Sequence, residues 1–217
     1  MPAANDQQLQ ELLAHPSVWR GRSRAVTPTF PTGFAALDAG LPGGGWPRHG
    51  LIEILTPRPG VGEIYLLLPA LAALSRLMPA RWCTWVSPPH EPFAPALEAH
   101  GVALDRMLMV RTHLPLWAHE QALRSGACEL ALVWLPRASP KAIRRLQLAA
   151  EHGRALGVLY RSQRFASETS PAMLRLLLEP LAKGESGEGR QGARVSLLKS
   201  RGGSREPIHI EWAAAAA

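Results

Sequence analysis

Short apolar segments alternate with longer segments in which apolar residues recur every three or four positions, from residue 51 to residue 160. Short continuous apolar runs are typical of buried parallel strands, and the longer pattern is typical of helices packed on a sheet. The predicted strands are Leu51–Leu55, Trp82–Ser87, Met107–Arg111, Leu130–Leu135 and Leu156–Tyr160. The predicted helices between them are Tyr65–Met78, Pro92–His100, Pro115–Ser125 and Pro140–His152. This alternation predicts a doubly wound, mostly parallel sheet flanked by helices.

The rhythm of strands and helices changes after Tyr160. Three further segments are predicted to be strands with no long helix between them: Met173–Glu179, Val195–Lys199 and Ile208–Trp212. They predict an antiparallel extension of the sheet, since antiparallel strands need only short connections. Residues 182–193 are rich in Gly, Glu and Ser, a composition that predicts a mobile loop inside this extension.

The length of the chain favours one domain with tails. Its 217 residues are 47% hydrophobic, which is enough for one sizeable core but not for a second full domain. Residues 1–26 are predicted to hold a short helix, Gln7–Ala14, and a basic linker around Trp19–Arg22. Residues 27–212 are predicted to form the core, and residues 213–217 a frayed tail.

The chain has no obvious targeting or membrane segment. Its polar N-terminus lacks the basic and then apolar layout of a signal peptide. The most apolar stretch, Ile64–Met78, is too short to cross a membrane and contains Pro69 and Arg76. A cytoplasmic protein is therefore predicted.

Charge and the less common side chains add little chemistry. Lys and Arg number 24 and Asp and Glu 17, and the net charge of +7 suits an acidic partner such as nucleic acid but equally serves solubility. Cys83 and Cys128 lie in separate apolar runs and are expected to be buried, reduced thiols. The histidines lack the spacing of metal ligands, so no metal site is predicted. Five tryptophans are expected to pack in the core or on strand faces rather than to stack on bases: Trp46, Trp82, Trp85, Trp117 and Trp134.

The segment Thr56–Ile64 lies between a predicted strand and a helix, where a phosphate-binding loop would be expected. In such loops backbone N–H groups of a glycine-rich turn hold phosphate oxygens, a lysine reaches the terminal phosphates and a Ser or Thr hydroxyl holds magnesium. Here Glu63 and Ile64 occupy the Lys and Ser/Thr places. A carboxylate would repel a triphosphate, and isoleucine offers a metal no oxygen. Nucleotide binding is therefore disfavoured, and an ordinary turn is the alternative explanation. The remnant of the loop comprises Pro59, Gly60, Gly62 and Glu63.

Several segments, in the same order, resemble the entry to the RecA recombinase core, where a T-G-x-x-x-L-D helix is followed by a glycine-rich turn and a strand. They are Pro31–Asp38, Leu41–Gly50 and Ile52–Ile54. A more detailed resemblance, from Trp19 to Trp212, is to the ImuA family, RecA-like proteins linked to SOS mutagenesis and related to the cell-division inhibitor SulA. The segments that carry it are Trp19–Arg22, Leu41–Trp46, Gly62–Glu63, Leu66–Leu71, Trp85–His90, Glu120–Gly126, Trp134–Arg137, Arg144–Glu151 and Leu197–Gly203. The resemblance implies a RecA-like fold.

The resemblance also implies that the chain lacks the RecA catalytic apparatus. Pro89 falls where RecA proteins carry a catalytic glutamate, and Trp134 falls where they carry the aspartate that supports magnesium. A sensing glutamine would fall near Arg161 or Ser162, with Gln163 close by. Because phosphoryl transfer depends on positioning and charge stabilisation, the joint loss predicts an inactive domain with no catalytic residue and no bound cofactor.

Basic residues elsewhere are candidates for binding surfaces. The connections that carry the DNA-binding loops in RecA, here Pro136–Pro140 and Arg161–Pro171, are short, which argues against a RecA-like filament on DNA. A patch for nucleic acid or a partner is predicted from residues at the start of one helix, with an ordinary solvated helix face as the alternative. Its residues are Arg137, Lys141, Arg144 and Arg145, opposite the apolar Ile143, Leu146 and Ala150.

The resemblance places Lys199 and Arg201 on the strand where RecA has lysines that reach across its subunit interface. A retained interface is therefore one expectation for these two residues. The alternative is a pair of basic residues that close an exposed strand edge.

The function implied by the ImuA resemblance is that of a catalytically silent adaptor in the SOS-induced translesion synthesis module. The expected partners are ImuB, a Y-family polymerase homologue, and through it an error-prone C-family DNA polymerase, with RecA and DNA as further candidates. Two alternatives come from other classes of protein. A SulA-like chain would inhibit the division protein FtsZ. An active RecA-like DNA-dependent ATPase would need a relocated phosphate ligand such as Arg58.

Overall fold

Strands and helices alternate through the described part of the chain, which in the computed structural model comprises residues 28–181, 191–200, 203 and 206–212. The strands are β1 (Thr29–Phe30), β2 (Trp46–Pro47), β3 (Gly50–Thr56), β4 (Trp82–Val86), β5 (Met107–Val110), β6 (Cys128–Trp134), β7 (Leu156–Ser162), β8 (Leu174–Pro180), β9 (Gln191–Lys199) and β10 (Ile208–Trp212). The α-helices are α1 (Ala35–Gly40), α2 (Leu68–Ser75), α3 (Ala94–Ala99), α4 (Pro115–Arg124) and α5 (Pro140–Gly153). Short 3₁₀ helices span Tyr65–Leu67, Leu104–Arg106 and Gln163–Phe165. None of the described helices has the length and apolar character needed to cross a membrane.

Eight of these strands form one mixed sheet, in the order β10-β9-β8-β3-β7-β6-β4-β5. Neighbouring strands are parallel from β8 to β5. The pairs β8–β9 and β9–β10 are antiparallel. The short strands β1 and β2 pair with each other outside this sheet. Because parallel strands end on the same side, the carboxyl ends of β3, β4, β6 and β7 lie along one edge of the sheet, which we call the carboxyl edge.

Hydrophobic side chains cover both faces of the parallel part. Ile52 and Ile54 of β3 belong to one buried cluster that includes residues of α2, whereas Leu51 belongs to a second cluster that includes residues of α5. Successive residues of a strand point to opposite faces, so a strand buried on both faces is mostly apolar. This explains why β3 appears in the sequence as a run of Leu and Ile that only Glu53 interrupts.

Helices α4 and α5 pack against each other as well as on the sheet. Helix α5 is capped by Ser139, whose hydroxyl accepts a hydrogen bond from the Ala142 N–H at 3.2 Å, and it ends at Arg154 with a left-handed φ of 51°. Near that end, a Cβ on Gly153 would lie 1.9 Å from the carbonyl oxygen of Leu123 in α4. The two helices therefore meet closely at this point, and glycine permits the approach.

The predicted strands and helices coincide with the observed ones to within a few residues, and the largest differences have local causes. The segment predicted as one helix from Tyr65 to Met78 is a 3₁₀ turn followed by α2, which has Pro69 in its first turn and ends at Ser75. Strand β9 begins at Gln191, so it takes up the last residues of the predicted loop 182–193, because they pair with β10. The predicted N-terminal helix and linker, and the tail 213–217, lie outside the described residues.

The sheet is mixed, with a mostly parallel part and an antiparallel part. The prediction of a RecA-like fold is wrong, since the relatives reported below belong to another family. That prediction depended on the alternation of strands and helices and on the resemblance of Pro31–Gly50, a short helix and a glycine-rich turn, to the entry of the RecA core. Both are local features that many unrelated α/β proteins share, so they do not identify a fold family.

Candidate functional site

The turn that follows β3 is an anion-binding nest filled by the chain's own carboxylate. Gly60 and Gly62 have positive φ angles of 80° and 99°. The Gly60 N–H donates to both oxygens of the Glu63 carboxylate, at 2.9 and 3.0 Å, and the Val61 N–H donates to one of them at 2.9 Å. Glu63 is only 4% exposed. Successive backbone N–H groups of this kind bind anions, so a phosphate could use them only by displacing Glu63.

The same turn packs against the end of β10. A Cβ on Gly62 would lie 2.6 Å from Cζ2 of Trp212, so only glycine fits at this position. The Trp212 ring also packs on Phe34 and on Tyr65, with centroids 5.9 Å apart in both pairs. The antiparallel part of the sheet therefore contributes directly to the shape of the turn.

Aromatic side chains line the carboxyl edge beside this turn. Trp134, at the end of β6, stacks on Tyr160 with centroids 4.7 Å apart and packs against Trp85 at 5.7 Å. The Tyr160 hydroxyl donates to the backbone carbonyl of Glu63 at 3.2 Å. Burial raises the pKa of Tyr160 well above its usual value, and the nearby Glu63 charge adds to the shift, so the phenol stays neutral. Pro89, which was aligned with the RecA catalytic glutamate, also lines this edge.

Two small cavities adjoin Trp134. The first, of about 280 Å³, is lined by aromatic and proline side chains that include Tyr65 and the exposed Phe93, and Glu63 reaches it from the turn. The second, of about 310 Å³, is lined by residues that include Arg58 and Tyr160. The first cavity offers mainly apolar contacts, and the second contains the cation that the ATPase alternative would need.

A buried ion cluster crosses the centre of the sheet, and sequence reasoning missed it. The Glu53 carboxylate of β3 accepts hydrogen bonds from Arg161 of β7 and from Arg175 of β8, the latter at 2.7 Å. The three side chains are 0%, 1% and 4% exposed. Further N–H groups of the two arginines donate to the carbonyl oxygens of Ala138 and Phe165, at 3.1 and 2.9 Å. The cluster therefore links three strands to the connections that follow β6 and β7. The one sign of it in the sequence was a charged residue, Glu53, inside an otherwise apolar run.

Arg161 therefore lies in a different setting from the one the RecA alignment implied. It was placed near a sensing glutamine, but its guanidinium is buried against Glu53 and lies over the Phe165 ring, 4.4 Å from the centroid. Gln163 begins the short 3₁₀ helix that follows β7. Arg161 therefore helps to hold the connection that follows β7, and Gln163 is part of that connection.

The residues predicted to form a basic patch divide between two places. Lys141, Arg144 and Arg145 are exposed along α5, and Arg145 forms an ion pair with Glu120 of α4. Arg137 precedes the helix and lines a separate cavity together with Arg161 and Arg164. The apolar residues predicted on the opposite side of the helix, Ile143, Leu146 and Ala150, are buried. Binding of a partner by the patch remains a prediction.

Of the two candidate interface residues, Lys199 and Arg201, the structure describes only Lys199. The Lys199 ammonium donates to the carbonyl oxygens of Ser170 and Ala172, at 2.6 and 2.7 Å. It thereby ties the end of β9 to the connection before β8. Arg201 lies outside the described residues, and an interface formed by the pair remains a prediction.

Histidine and cysteine side chains offer little chemistry where the structure describes them. Among the described residues, no three His, Cys, Asp or Glu side chains lie close enough together to hold a metal ion. His119 in α4 is fully buried, neither ring nitrogen has a hydrogen-bond partner, and burial lowers its pKa to about 3. Cys83 and Cys128 are free and buried, as predicted.

The expectation that the tryptophans pack in the core or on strand faces is wrong for Trp117, which lies on α4 and is 58% exposed. Trp46 and Trp85 are buried, and Trp134 packs in the aromatic cluster. Trp82 begins strand β4 and is 41% exposed. Trp117 is exposed because the sheet and α5 cover α4 on the opposite side of the helix. The spacing of apolar residues in the sequence did not show which side would be covered.

Comparison with known proteins places the central sheet in one family. Residues 52–157 match the family model described as "Cell division inhibitor SulA". The cell division inhibitor SulA of Serratia marcescens is 33% identical over 128 residues, which cover 56% of this chain and 74% of that protein. The SulA proteins of Photorhabdus laumondii and Edwardsiella piscicida are 39% and 36% identical over 99 and 101 residues. Those two alignments cover 56% and 59% of the relatives, so the chain matches somewhat more than half of their length.

A solved structure is also similar. The crystal structure of SulA from Pseudomonas aeruginosa shares 29% sequence identity with a TM-score of 0.44, over 51% of this chain and 97% of that one.

The chain is thus an α/β protein with a self-filled nest at the carboxyl edge, and it belongs to the SulA family. The relation to SulA predicted from the sequence is confirmed, whereas the assignment to the ImuA family finds no support in these relatives. The predicted function as a translesion synthesis adaptor is wrong, and so are the predicted partners ImuB, the C-family polymerase and RecA. Most of the segments quoted for ImuA lie within residues 52–157, the region that matches the SulA family model.

Proposed function

We propose that this chain inhibits bacterial cell division by binding the division protein FtsZ, and that it does so in the cytoplasm during the SOS response. The observation that carries the proposal is the relationship to the Serratia marcescens division inhibitor, 33% identical over 74% of that protein. The region 52–157 that matches the family contains β3 to β6, the helices α2 to α5 and the start of β7. The proposal therefore draws on the part of the chain that forms the core of the sheet.

The proposed mechanism is stoichiometric binding without catalysis. It is supported by Glu63, whose carboxylate accepts the N–H groups that a phosphate would need. A triphosphate at this turn would meet a like charge at short range in a poorly screened site. Ile64 stands in place of the metal-holding hydroxyl, and Trp134 stacks on Tyr160 at the position aligned with the metal-supporting aspartate.

The test of division inhibition uses purified chain and FtsZ from the same bacterium. FtsZ assembly is measured by sedimentation and its GTP hydrolysis by phosphate release, while the chain is titrated from below to above the FtsZ concentration. We expect inhibition that is complete near one chain per FtsZ, because a binding inhibitor acts in proportion to its amount. Heat-unfolded chain at the same concentrations is the control. Normal assembly and hydrolysis in a large excess of folded chain would defeat the proposal.

The absence of catalysis has a separate test. Calorimetric titration with magnesium ATP is expected to show no saturable binding to the unchanged chain. Saturable binding that is lost in an Arg58→Ala variant would show that the cation at the second cavity holds phosphate. That result would overturn the non-enzymatic mechanism, while the FtsZ titration would still decide the proposed target.

A further inference from the structure

Helices α4 and α5 present a surface to solvent that is both basic and apolar. Its cations are Arg124 of α4 and Lys141, Arg144 and Arg145 of α5, all of them exposed. Its large apolar side chains are Trp117, 58% exposed, and Leu148, 47% exposed. We call these six residues the α4–α5 outer face.

Helix geometry places these residues on one side of the pair. Residues three and four apart share a side of a helix, which relates Lys141, Arg144, Arg145 and Leu148 on α5. The buried positions of α5, such as Ile143, alternate with them and face the sheet.

An ion pair between Arg145 of α5 and Glu120 of α4 joins the two helices next to this face. The Nε of Arg145 donates to Oε1 of Glu120 at 3.2 Å. Trp117 lies one turn before Glu120 on α4, and Lys141 lies one turn before Arg145 on α5. The two helices run in the same direction, because each returns from the end of one parallel strand to the start of another. Trp117 and Lys141 therefore stand at about the same height on neighbouring helices.

The cations of the face outnumber the acidic residues near them. Between residues 112 and 153 the acidic residues of the chain are Glu120, Glu129 and Glu151. Glu120 is paired with Arg145, Glu129 is paired with Arg81 at 2.9 Å, and the exposed Glu151 near the end of α5 accepts a hydrogen bond from the Gln147 amide at 2.7 Å. Arg124, Lys141 and Arg144 therefore add a positive field around the exposed indole.

We propose that the α4–α5 outer face binds an acidic protein surface, with the Trp117 indole as its apolar anchor. The identity of that surface rests on the proposed function, in which it belongs to FtsZ. Tryptophan and arginine are the residues that most often dominate binding energy in protein interfaces, and a cation field favours an acidic partner. A second copy of the chain would bring the same cations face to face, which opposes self-association. Single-stranded nucleic acid is less favoured, since such sites stack several bases on several aromatic rings and this face has one.

The test compares two pairs of exposed substitutions for binding to immobilised FtsZ. Trp117→Ala is matched by Trp82→Ala, since Trp82 is an exposed tryptophan (41%) at the start of β4, outside the α4–α5 outer face. Lys141→Glu is matched by Arg48→Glu, which makes the same charge change at an exposed position between β2 and β3. We expect Trp117→Ala and Lys141→Glu each to weaken binding about tenfold or more, and each control to change it less than about twofold. Binding by the unchanged chain should weaken as salt is raised. Circular dichroism of all four variants verifies that they are folded.

The outcomes separate this inference from the proposed function. If the unchanged chain does not bind FtsZ, the proposed function fails and this inference fails with it. If the unchanged chain binds and the variants in both pairs bind alike, the inference is overturned and the proposed function stands. Loss of binding to a single-stranded oligonucleotide or to anionic vesicles in Trp117→Ala and Lys141→Glu, with FtsZ binding intact, would also overturn it. A dimer of the unchanged chain that Trp117→Ala dissociates, without an effect on FtsZ, would do the same.

Discussion

Replacement of Glu53 by glutamine should destabilise the fold severely, because it leaves two buried arginines without their anion. Glu53→Gln keeps the volume of the side chain but removes the charge that Arg161 and Arg175 share. Each lost charge-assisted hydrogen bond is worth about 1.5–3 kcal/mol. The carbonyl acceptors that the guanidinium groups retain offset part of this loss. The expected cost is about 3–5 kcal/mol, the range for breaking a buried ion pair on one side. A domain with about 5–15 kcal/mol of stability would lose a large fraction of it.

Urea denaturation followed by tryptophan fluorescence measures this cost from the midpoint, provided that the slope is unchanged. The matched control is Glu179→Gln, which breaks a half-exposed ion pair with Arg194 (3.2 Å) and should cost less than about 1 kcal/mol. A triple variant with methionine in place of Glu53, Arg161 and Arg175 should recover much of the stability, because no charge is then left unpaired. If Glu53→Gln cost no more than Glu179→Gln, the reasoning about the cluster would be refuted.

Three further predictions concern the nest and two buried titratable groups. Gly62→Ala should cost about 2–3 kcal/mol more than Gly60→Ala in the same urea assay, because both positions have positive φ but only the Cβ at Gly62 meets Trp212. The pKa of His119 is about 3 in the folded chain and about 6.5 in the unfolded chain, so proton binding favours unfolding as the pH falls from about 6.5 to 3. The loss of stability is up to about 1.4 kcal/mol per pH unit, and His119→Leu should remove it. Burial raises the pKa of Cys83 to about 12, so a thiol reagent at mildly alkaline pH should label it only as fast as the chain unfolds.

Each of these has a control or a contrary result. Equal losses for the two glycine variants would show that Trp212 does not restrict the turn. An acid slope that persists in His119→Leu would exclude the buried imidazole as its source. Labelling of Cys83 at a rate independent of urea would contradict its burial.

The strands and helices of the parallel part were largely predictable. Strand β3 was visible as the run Leu51–Leu55, apolar except at Glu53, because a strand covered on both faces is mostly apolar. Helix α5 was visible through its periodicity. Glu63 was also visible as the wrong residue for a phosphate loop. The family branch was not, since the motifs that suggested RecA and ImuA are short and local. The alignment of 128 residues with the Serratia marcescens division inhibitor, 74% of that protein, assigns the chain to the SulA family instead.

The amino-acid order alone therefore specifies the alternation of strands and helices and the glycine-rich turn with its carboxylate at position 63, because each depends on neighbours in the chain. Three other features depend on residues that only the folded sheet brings together. Trp212 requires glycine at position 62, Arg161 and Arg175 neutralise Glu53, and α5 leaves Trp117 in solvent. Burial and charge pairing are properties of the whole packing arrangement, and residues distant in the sequence supply the contacts.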